Sequence, residues 1–272
     1  MQQQQQRDST TPLPREMGAI NWIGFATLFS KEVRRFAKVY MQTVAAPVVT
    51  TLLFFAVFAL ALGGAGRSVG DVPFLEFLAP GLIIMTMAQN AFQNTSSSIM
   101  IAKNQGTIVD VLMPPMTSGE LAVGYVAAAV LRGLVVGLVT IAVVALFVRI
   151  HLAHPLLIAL YGLLGTMMLG LLGIAGAIWA EKFDHIAAVT NFIVTPLTFL
   201  SGTFYPIERL PENWRFVAHL NPFFYMIDGF RHGFIGGNDS FIGTGIAVLV
   251  AVNAGLWLLV LRMLSTGYKL KS

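Results

Sequence analysis

Long runs of apolar residues, separated by short polar segments, constrain this chain more than any other feature of its sequence. A helix that crosses a hydrocarbon core of about 30 Å needs about 20 mainly apolar residues. Such runs occupy residues 43–62, 75–101, 121–148, 156–180, 186–205 and 241–264. Charged residues make up only 11% of the chain, against about a quarter in a soluble domain. We therefore predict an all-α membrane protein with six transmembrane helices.

The N-terminal region consists of two segments of different composition. Residues 1–20 contain a glutamine run followed by Ser, Thr and Pro, which is typical of a disordered tail and not of a secretory signal. In residues 22–40, apolar side chains are interleaved with charged ones at Lys31, Glu32, Arg34, Arg35 and Lys38. This pattern predicts a basic amphipathic helix in the membrane interface. It would be the first element of a single transmembrane domain over residues 21–272.

The second apolar run is hydrophobic only in its first half. Its second half carries polar side chains at Gln89, Asn90, Gln93, Asn94 and Ser97. Because these positions repeat at i, i+4 spacing, they share one broad face of a helix. We expect this face to meet other helices or a wet cavity, since lipid cannot hydrogen-bond to it. Two functions remain open for it: lining a translocation path, or hydrogen bonding between helices or chains.

Arg132 lies inside the third apolar run, where a charge costs about 2.5–3.5 kcal/mol on insertion scales. It either binds an anionic headgroup or orients the polar second run; a purely structural pair or carbonyl contact is the alternative. The neighbouring Gly133 and Gly137 form a G-x-x-x-G pattern, which favours close approach of another helix.

Residues 206–240 match neither an ordinary loop nor an uninterrupted span. The stretch 216–235 is long enough to cross a membrane, but several residues interrupt it, among them His219, Asn221, Pro222, Asp228 and Arg231. We predict short re-entrant helices that enter the outer membrane face and pack on protein. A seventh complete span is the alternative. The i, i+3 spacing of Asp228 and Arg231 predicts a local ion pair.

The charge distribution indicates topology. The net charge is +4, but the basic residues lie dispersed at the edges of apolar runs, so we predict no nucleic-acid partner. They are most frequent before the first run, which predicts that both termini are cytoplasmic. The chain has no cysteine, which excludes disulfides and thiolate metal sites. His151 and His154 have metal-like spacing, but Pro155 follows and no acid is near in sequence, so we predict no metal site.

The loop at residues 102–120 is the largest of those expected in the cytoplasm. Apolar residues surround Asp110, and a Pro-Pro pair then ends any helix. The pattern predicts a short helix parallel to the membrane that offers apolar side chains to a partner; an ordinary ordered connector is the alternative. The candidate partner-contacting residues are Gly106, Thr107, Ile108, Asp110, Leu112 and Pro114.

Three segments resemble the permease subunits of type-2 ABC exporters, which carry drugs, polysaccharides and lipid-linked sugars. Residues 106–116 (GTIVDVLMPPM) match the family's (R/G)-T-I-(E/D)-x-L-(L/M)-x-(T/P)-P loop. Residues 199–211 (FLSGTFYPIERLP) and 219–231 (HLNPFFYMIDGFR) resemble its signature around the end of the fifth span. With the order of spans, the resemblance covers most of residues 22–264. Within this family, the sequence most resembles the nodulation-type and lipooligosaccharide export permeases.

This resemblance implies a function that composition alone does not indicate. Two copies would pair as a homodimer in the bacterial inner membrane, among its lipids, and each would dock a cytoplasmic ATP-binding subunit through a coupling helix at residues 102–117. That subunit would use ATP and magnesium, so we expect no directly bound cofactor and no catalytic residue in this chain. The substrate would be amphiphilic, lipid-linked, saccharide or drug-like. The sequence contains no G-x-x-x-x-G-K-[ST] phosphate loop; its glycine cluster at residues 63–66 is expected to form a turn.

Two other functional classes are alternatives. A membrane-embedded transferase would need clustered acidic ligands or an acid–base pair, whereas the 13 acidic residues here are scattered. A self-contained secondary transporter would tend to show internal repeats and paired broken helices. This sequence has one interrupted segment and no matching half.

Overall fold

The computed structural model describes residues 20–62, 68–70, 72–207, 210–236 and 242–270. Residues 1–19 of the expected tail and the expected turn at 63–66 lie outside the described residues. The helices are α1 (Trp22–Lys38), α2 (Ala46–Leu62), α3 (Phe74–Asn104), α4 (Ile108–Leu112), α5 (Ser118–Val144), α6 (Pro155–Trp179), α7 (Phe183–Val189), α8 (Thr195–Leu200), α9 (Glu212–Leu220), α10 (Pro222–Ile235) and α11 (Ile242–Thr266). Two short strands, β1 (Ser68–Val69) and β2 (Val72–Pro73), pair antiparallel before α3.

The described part of the chain contains six helical segments that are long and apolar enough to cross a membrane. They are Met41–Ala61, Phe74–Asn104, Ser118–Val144, Pro155–Trp179, Phe183–Leu200 and Ile242–Thr266. The predicted all-α fold with six spans is confirmed. Two predicted ends are too late, because the third span ends at Val144 and the fifth at Leu200. Gly202 follows the fifth span with a φ of 76°, a left-handed conformation that stops a helix.

Prolines alter the helix geometry in the first and fifth spans. Pro47 and Pro196 each lie two residues after a π-helical stretch, Met41–Ala45 and Thr190–Val194 respectively. A proline has no N–H for the carbonyl one turn earlier, and its ring crowds that turn. The wider π turn accommodates both effects. The fifth span is therefore divided into α7 and α8.

Helix α3 is the central element of the bundle. In its 18-residue apolar stretch, 83% of the residues are buried within the chain. The corresponding share is 17% in the first span, 11% in the fifth and 22% in the sixth. Helices α5 and α6 cover most of it. Gly133 of α5 permits this contact, because a Cβ there would lie 2.9 Å from the carbonyl oxygen of Met87 on α3. The close approach predicted from the G-x-x-x-G pattern is confirmed.

The segment after the fifth span forms two short helices, α9 and α10, that meet at Asn221. Helix α10 packs along the N-terminal half of α6: the Met226 side chain faces Gly165, and Gly233 faces Ile158. Along its length, α10 therefore returns toward the end at which α6 begins. The predicted short helices that pack on protein are observed, and their entry into the outer membrane face stays a prediction. The alternative of a seventh complete span is wrong, because the helix breaks at Asn221.

The glycine contact between α6 and α3 provides a test of this packing. A Cβ at Gly173 would lie 2.6 Å from the main-chain oxygen of Phe92, which cannot move without shifting α3. We expect Gly173→Ala to destabilise the protein by about 1–3 kcal/mol, the usual cost of overpacking. The control is Gly255→Ala on α11, where no atom lies within 4 Å of a Cβ. Equal thermal unfolding temperatures of the two variants in detergent would contradict this packing.

Candidate functional site

One end of the bundle brings together α1, α4 and the loop that precedes α5. The main-chain N–H of Asn21 donates to Glu120 Oε1 at 2.6 Å, and the Asn21 carboxamide donates to the carbonyl of Pro115 at 3.2 Å. Thr117 and Glu120 form a reciprocal capping box that begins α5. These contacts attach the loop to α1 and frame a largely apolar cavity of about 1000 Å³, which Trp22 of α1 helps to line.

The short helix predicted in this loop is α4. The six predicted residues, Gly106, Thr107, Ile108, Asp110, Leu112 and Pro114, lie in it or beside it. Ile108 is buried, whereas Val109 and Met113 expose 54% and 74% of their surfaces. Asp110 is also exposed, and Leu112 is half-buried. Helix α4 is therefore anchored by one face and leaves the other face open.

The C-terminal segment lies at the same end of the bundle. Leu270 is buried in the apolar cluster that contains Ile108. Beside it, Lys269 Nζ donates to Glu181 Oε1 at 2.7 Å, and this hydrogen bond lowers the pKa of Glu181 and raises that of Lys269. The ammonium group of Lys103 donates to three carbonyls at the end of α6. Sequence analysis missed these contacts, because only the packing of spans brings such distant residues together.

A buried carboxylate attaches α1 to the polar half of α3. Glu32 is fully buried; it accepts a hydrogen bond from Ser98 Oγ at 2.7 Å and pairs with Arg35 at 3.0 Å. Arg35 also donates to the carbonyl and side-chain oxygens of Asn94, at 2.7 and 3.0 Å, and to Ser97 Oγ at 3.1 Å. Sequence analysis assigned Glu32 and Arg35 only to the charged face of an interfacial helix. Their i, i+3 spacing was the one signal that they act together.

The polar contacts continue along α3 to Arg132. The side chain of Arg132 is only 5% exposed, and its Nη2 donates to Asn90 Oδ1 at 2.9 Å. Farther along, the hydroxyl groups of Thr51 and Thr86 join α2 to α3 at 2.7 Å. A column of polar side chains therefore runs inside the bundle, from Glu32 to Thr86.

The predicted polar residues of the second span divide into two groups. Asn90 and Asn94 are buried and bind α5 and α1, so hydrogen bonding between helices is observed for this group. Gln93 is exposed, and Gln89 and Ser97 are half-buried. These last three residues form a polar strip on the most buried of the spans, and Ser97 in it also accepts a hydrogen bond from Arg35 of α1. The strip remains available to a translocation path or a second chain.

Asn221 and Pro222 join the re-entrant helices. The Asn221 side chain accepts a hydrogen bond from the N–H of Phe223 and so caps α10, whose first residue is Pro222. The Asn221 carboxamide also donates to the carbonyl of Leu197 at 2.9 Å and to Ser201 Oγ at 2.8 Å. One side chain therefore fastens the start of α10 to the end of the fifth span.

Arg231 fastens the other half of α10. Its guanidinium donates to the carbonyl of Phe77 at 3.1 Å and to that of Gly202 at 2.7 Å, and it lies 3.9 Å from the Phe77 ring centroid. With Asp228, Arg231 lines a cavity of about 540 Å³. The ion pair between these two residues stays a prediction.

The histidines considered as metal ligands have separate partners. His151 Nδ1 lies 3.7 Å from Glu76, an acidic residue whose proximity sequence analysis missed because it lies on another span. The His154 ring stacks on that of His232, with centroids 5.6 Å apart. Across the described ranges, no three His, Asp or Glu residues are grouped as a metal site requires.

A family model and curated relatives match this architecture. The model for the ABC-2 type transporter matches residues 24–235, which include most of α1 and all of α4, the polar column and α10. The chain belongs to the ABC-2 type transporter family. The "Inner membrane transport permease YadH" of Escherichia coli (strain K12) is 35% identical over 251 residues, which are 92% of this chain and 98% of that permease. "Nodulation protein J" of Neorhizobium galegae is 25% identical over 236 residues, 85% of this chain and 86% of that protein.

The resemblance to type-2 ABC exporter permeases is thereby confirmed. This ABC-2 chain is a permease of an ABC transporter, and the family implies a partner that binds ATP. Three segments carried the resemblance in the sequence: the loop around α4, the connection from the end of the fifth span to α9, and the α9–α10 junction with most of α10.

The attachment of α1 in this ABC-2 permease depends on the carboxylate of Glu32. We expect Glu32→Ala to lower the free energy of unfolding by about 2–3 kcal/mol, because Arg35 and Ser98 lose their partner. This is less than the roughly 3–5 kcal/mol of a fully buried pair, since the Arg35 side chain is 27% exposed. Lys31→Ala is the control, because Lys31 is exposed and lies 3.7 Å from Glu32; we expect it to cost less than about 1 kcal/mol. Unfolding by SDS titration measures both, and equal effects would contradict this assignment.

Proposed function

We propose that this chain is the transmembrane subunit of an ABC exporter in the bacterial inner membrane. It moves an amphiphilic, lipid-linked, saccharide or drug-like substrate outward with energy from ATP that a separate subunit hydrolyses with magnesium. The open face of α4 is the observation that carries this proposal. It presents Val109 and Met113 to a partner, in a chain whose sequence has no phosphate loop of its own.

The same end of the bundle is proposed to face the cytoplasm. It carries α1 with its Lys and Arg residues, α4, Lys103 and the C-terminal segment. This concentration of basic residues agrees with the positive-inside rule. The inner membrane location is supported by the name of YadH.

A homodimer would complete the pore. In the apolar stretches of the first and fifth spans, only 17% and 11% of the residues are buried within the chain. Most of the surface of these two spans is therefore left for lipid or a second copy. The polar strip of Gln89, Gln93 and Ser97 is costly against lipid. We propose that it lines the path between two copies.

The contacts of α4 support a route for transmitting movement. A nucleotide-driven shift of the partner would push on α4, whose buried Ile108 packs at the base of α5. The same shift would reach α1 through Asn21 and Glu120. Because Glu32 and Arg35 join α1 to α3, the helix that carries the polar strip would move with it.

Docking of the ATP-binding subunit should depend on the exposed face of α4. We expect Val109→Glu with Met113→Glu to reduce co-purification of that subunit at least about tenfold, because two central apolar contacts become charged. Leu112 is avoided, since it is half-buried and its substitution would disturb folding. The matched control is Val217→Glu on α9, an exposed valine at the opposite end. Unchanged co-purification of the double variant would refute docking at α4.

Transport should depend on the polar strip. We expect Gln93→Leu to lower ATP-dependent export several-fold, because it removes hydrogen-bonding groups from the path, while the thermal unfolding temperature stays the same since Gln93 is exposed. Leu258→Ala on α11, also exposed, is the control and should transport normally. The assay is nucleotide-dependent uptake of fluorescent amphiphiles into inside-out vesicles. Normal uptake by the Gln93→Leu variant would show that the polar strip does not line the translocation path.

A further inference from the structure

Among the residues that the structure describes, no carboxylate matches the charge of Arg132. Its side chain is buried, and its one hydrogen bond within the described residues is to the neutral carboxamide of Asn90. No Asp or Glu in the described ranges forms a salt bridge with it. Its Nε is buried and has no acceptor there. A buried charge without a counter-ion is strongly unfavourable. A negatively charged group bound beside Arg132 would remove this cost.

A second guanidinium group lies close to the first. Arg35 binds Asn94, which is one helical turn, about 6 Å, along α3 from Asn90. Glu32 pairs with Arg35 and, more loosely, with Lys31, which leaves an excess of positive charge at this point of the bundle.

Two of the buried groups that have no partner at this position are N–H donors. Besides Arg132 Nε, the Nδ2 of Asn94 is buried without an acceptor among the described residues; its Oδ1 is occupied by Arg35. Unpartnered donors beside an excess of positive charge suit phosphate or carboxylate oxygens and not a cation. Gln93 is exposed and Gln89 is half-buried. Each is next in sequence to one of the two asparagines, so the polar strip lies beside these donors.

We propose that Arg132, Arg35, Asn90 and Asn94 bind the anionic headgroup of an amphiphile. The phosphate or carboxylate group of this amphiphile enters from the polar strip and accepts hydrogen bonds from Arg132 Nε and Asn94 Nδ2. This anion site extends the proposed export function, and it rests on that function because the polar strip is taken as the path by which the anion enters. The anion comes either from an exported substrate or from a resident anionic lipid, and both present the same chemistry.

Binding without nucleotide tests the site directly. The full chain with its ATP-binding subunit is placed in phosphatidylcholine nanodiscs and titrated with radiolabelled dodecyl phosphate, with neutral dodecyl glucoside as the matched probe. We expect a preference for dodecyl phosphate, and a loss of about ten- to hundredfold in its affinity in Arg132→Gln, as for a charge-assisted hydrogen bond. Arg262→Gln, which removes an exposed arginine of α11, is expected to bind as the wild type does. Equal affinity of wild type and Arg132→Gln for dodecyl phosphate would overturn the proposal.

A second variant keeps the test valid if Arg132→Gln fails to fold. Asn90→Asp places a carboxylate of the same shape against Arg132, so it supplies an internal counter-ion. We expect the folded variant to be at least as heat-stable as the wild type and to bind dodecyl phosphate more weakly. Unchanged binding by this variant would also overturn the proposal.

The source of the anion is distinguished by competition and by ATP. Displacement of dodecyl phosphate by added phosphatidylglycerol, without release on ATP hydrolysis, identifies a resident lipid. Release on ATP hydrolysis identifies a substrate. Either result supports the anion site. Failure of every amphiphile to stimulate ATP hydrolysis or to be transported would instead contradict the export function and leave the binding result standing.

Discussion

The junction between α1 and α3 is the interaction on which the rest of this structure depends. Hydrocarbon offers no hydrogen-bond partner, so the polar half of α3 can lie at membrane depth only if other parts of the chain satisfy it. Glu32 and Arg35 do so from α1, and Arg132 does so from α5. An amphipathic helix that would otherwise rest on the surface is thereby held in the bundle, and α3 becomes its most buried span.

This junction also connects two distant surfaces of one small bundle. The end of the bundle that carries α4 has an exposed apolar face, and the interior of the bundle has a polar strip on α3. Glu120 holds α1 to the loop around α4, while Arg35 holds α1 to α3. The contact surface and the strip are therefore parts of one connected network. At the opposite end, Asn221 and Arg231 fasten α10 to the spans through carbonyl contacts.

Much of the fold could be predicted from the sequence, as could the segments of the site. The spans, the re-entrant helices and α4 follow from apolar length, interrupting polar residues and a Pro-Pro pair, all of which are local patterns. The polar face of the second span was also visible, because i, i+4 spacing is a property of one helix. The ends of the third and fifth spans were misplaced, since apolar residues continue beyond the turns that end those helices.

What the sequence by itself determined is which segments enter the membrane and which residues lie on a polar face, because transfer from water to lipid depends on each segment's own composition. Only the tertiary structure decided that Glu32 is buried, that Arg132 meets Asn90, that Lys269 meets Glu181, and that Gln93 stays open while Asn94 does not. These partners are far apart in the chain, and their pairing depends on how the spans pack. In lipid, that packing is set by close glycine contacts and by the need to satisfy each buried polar group.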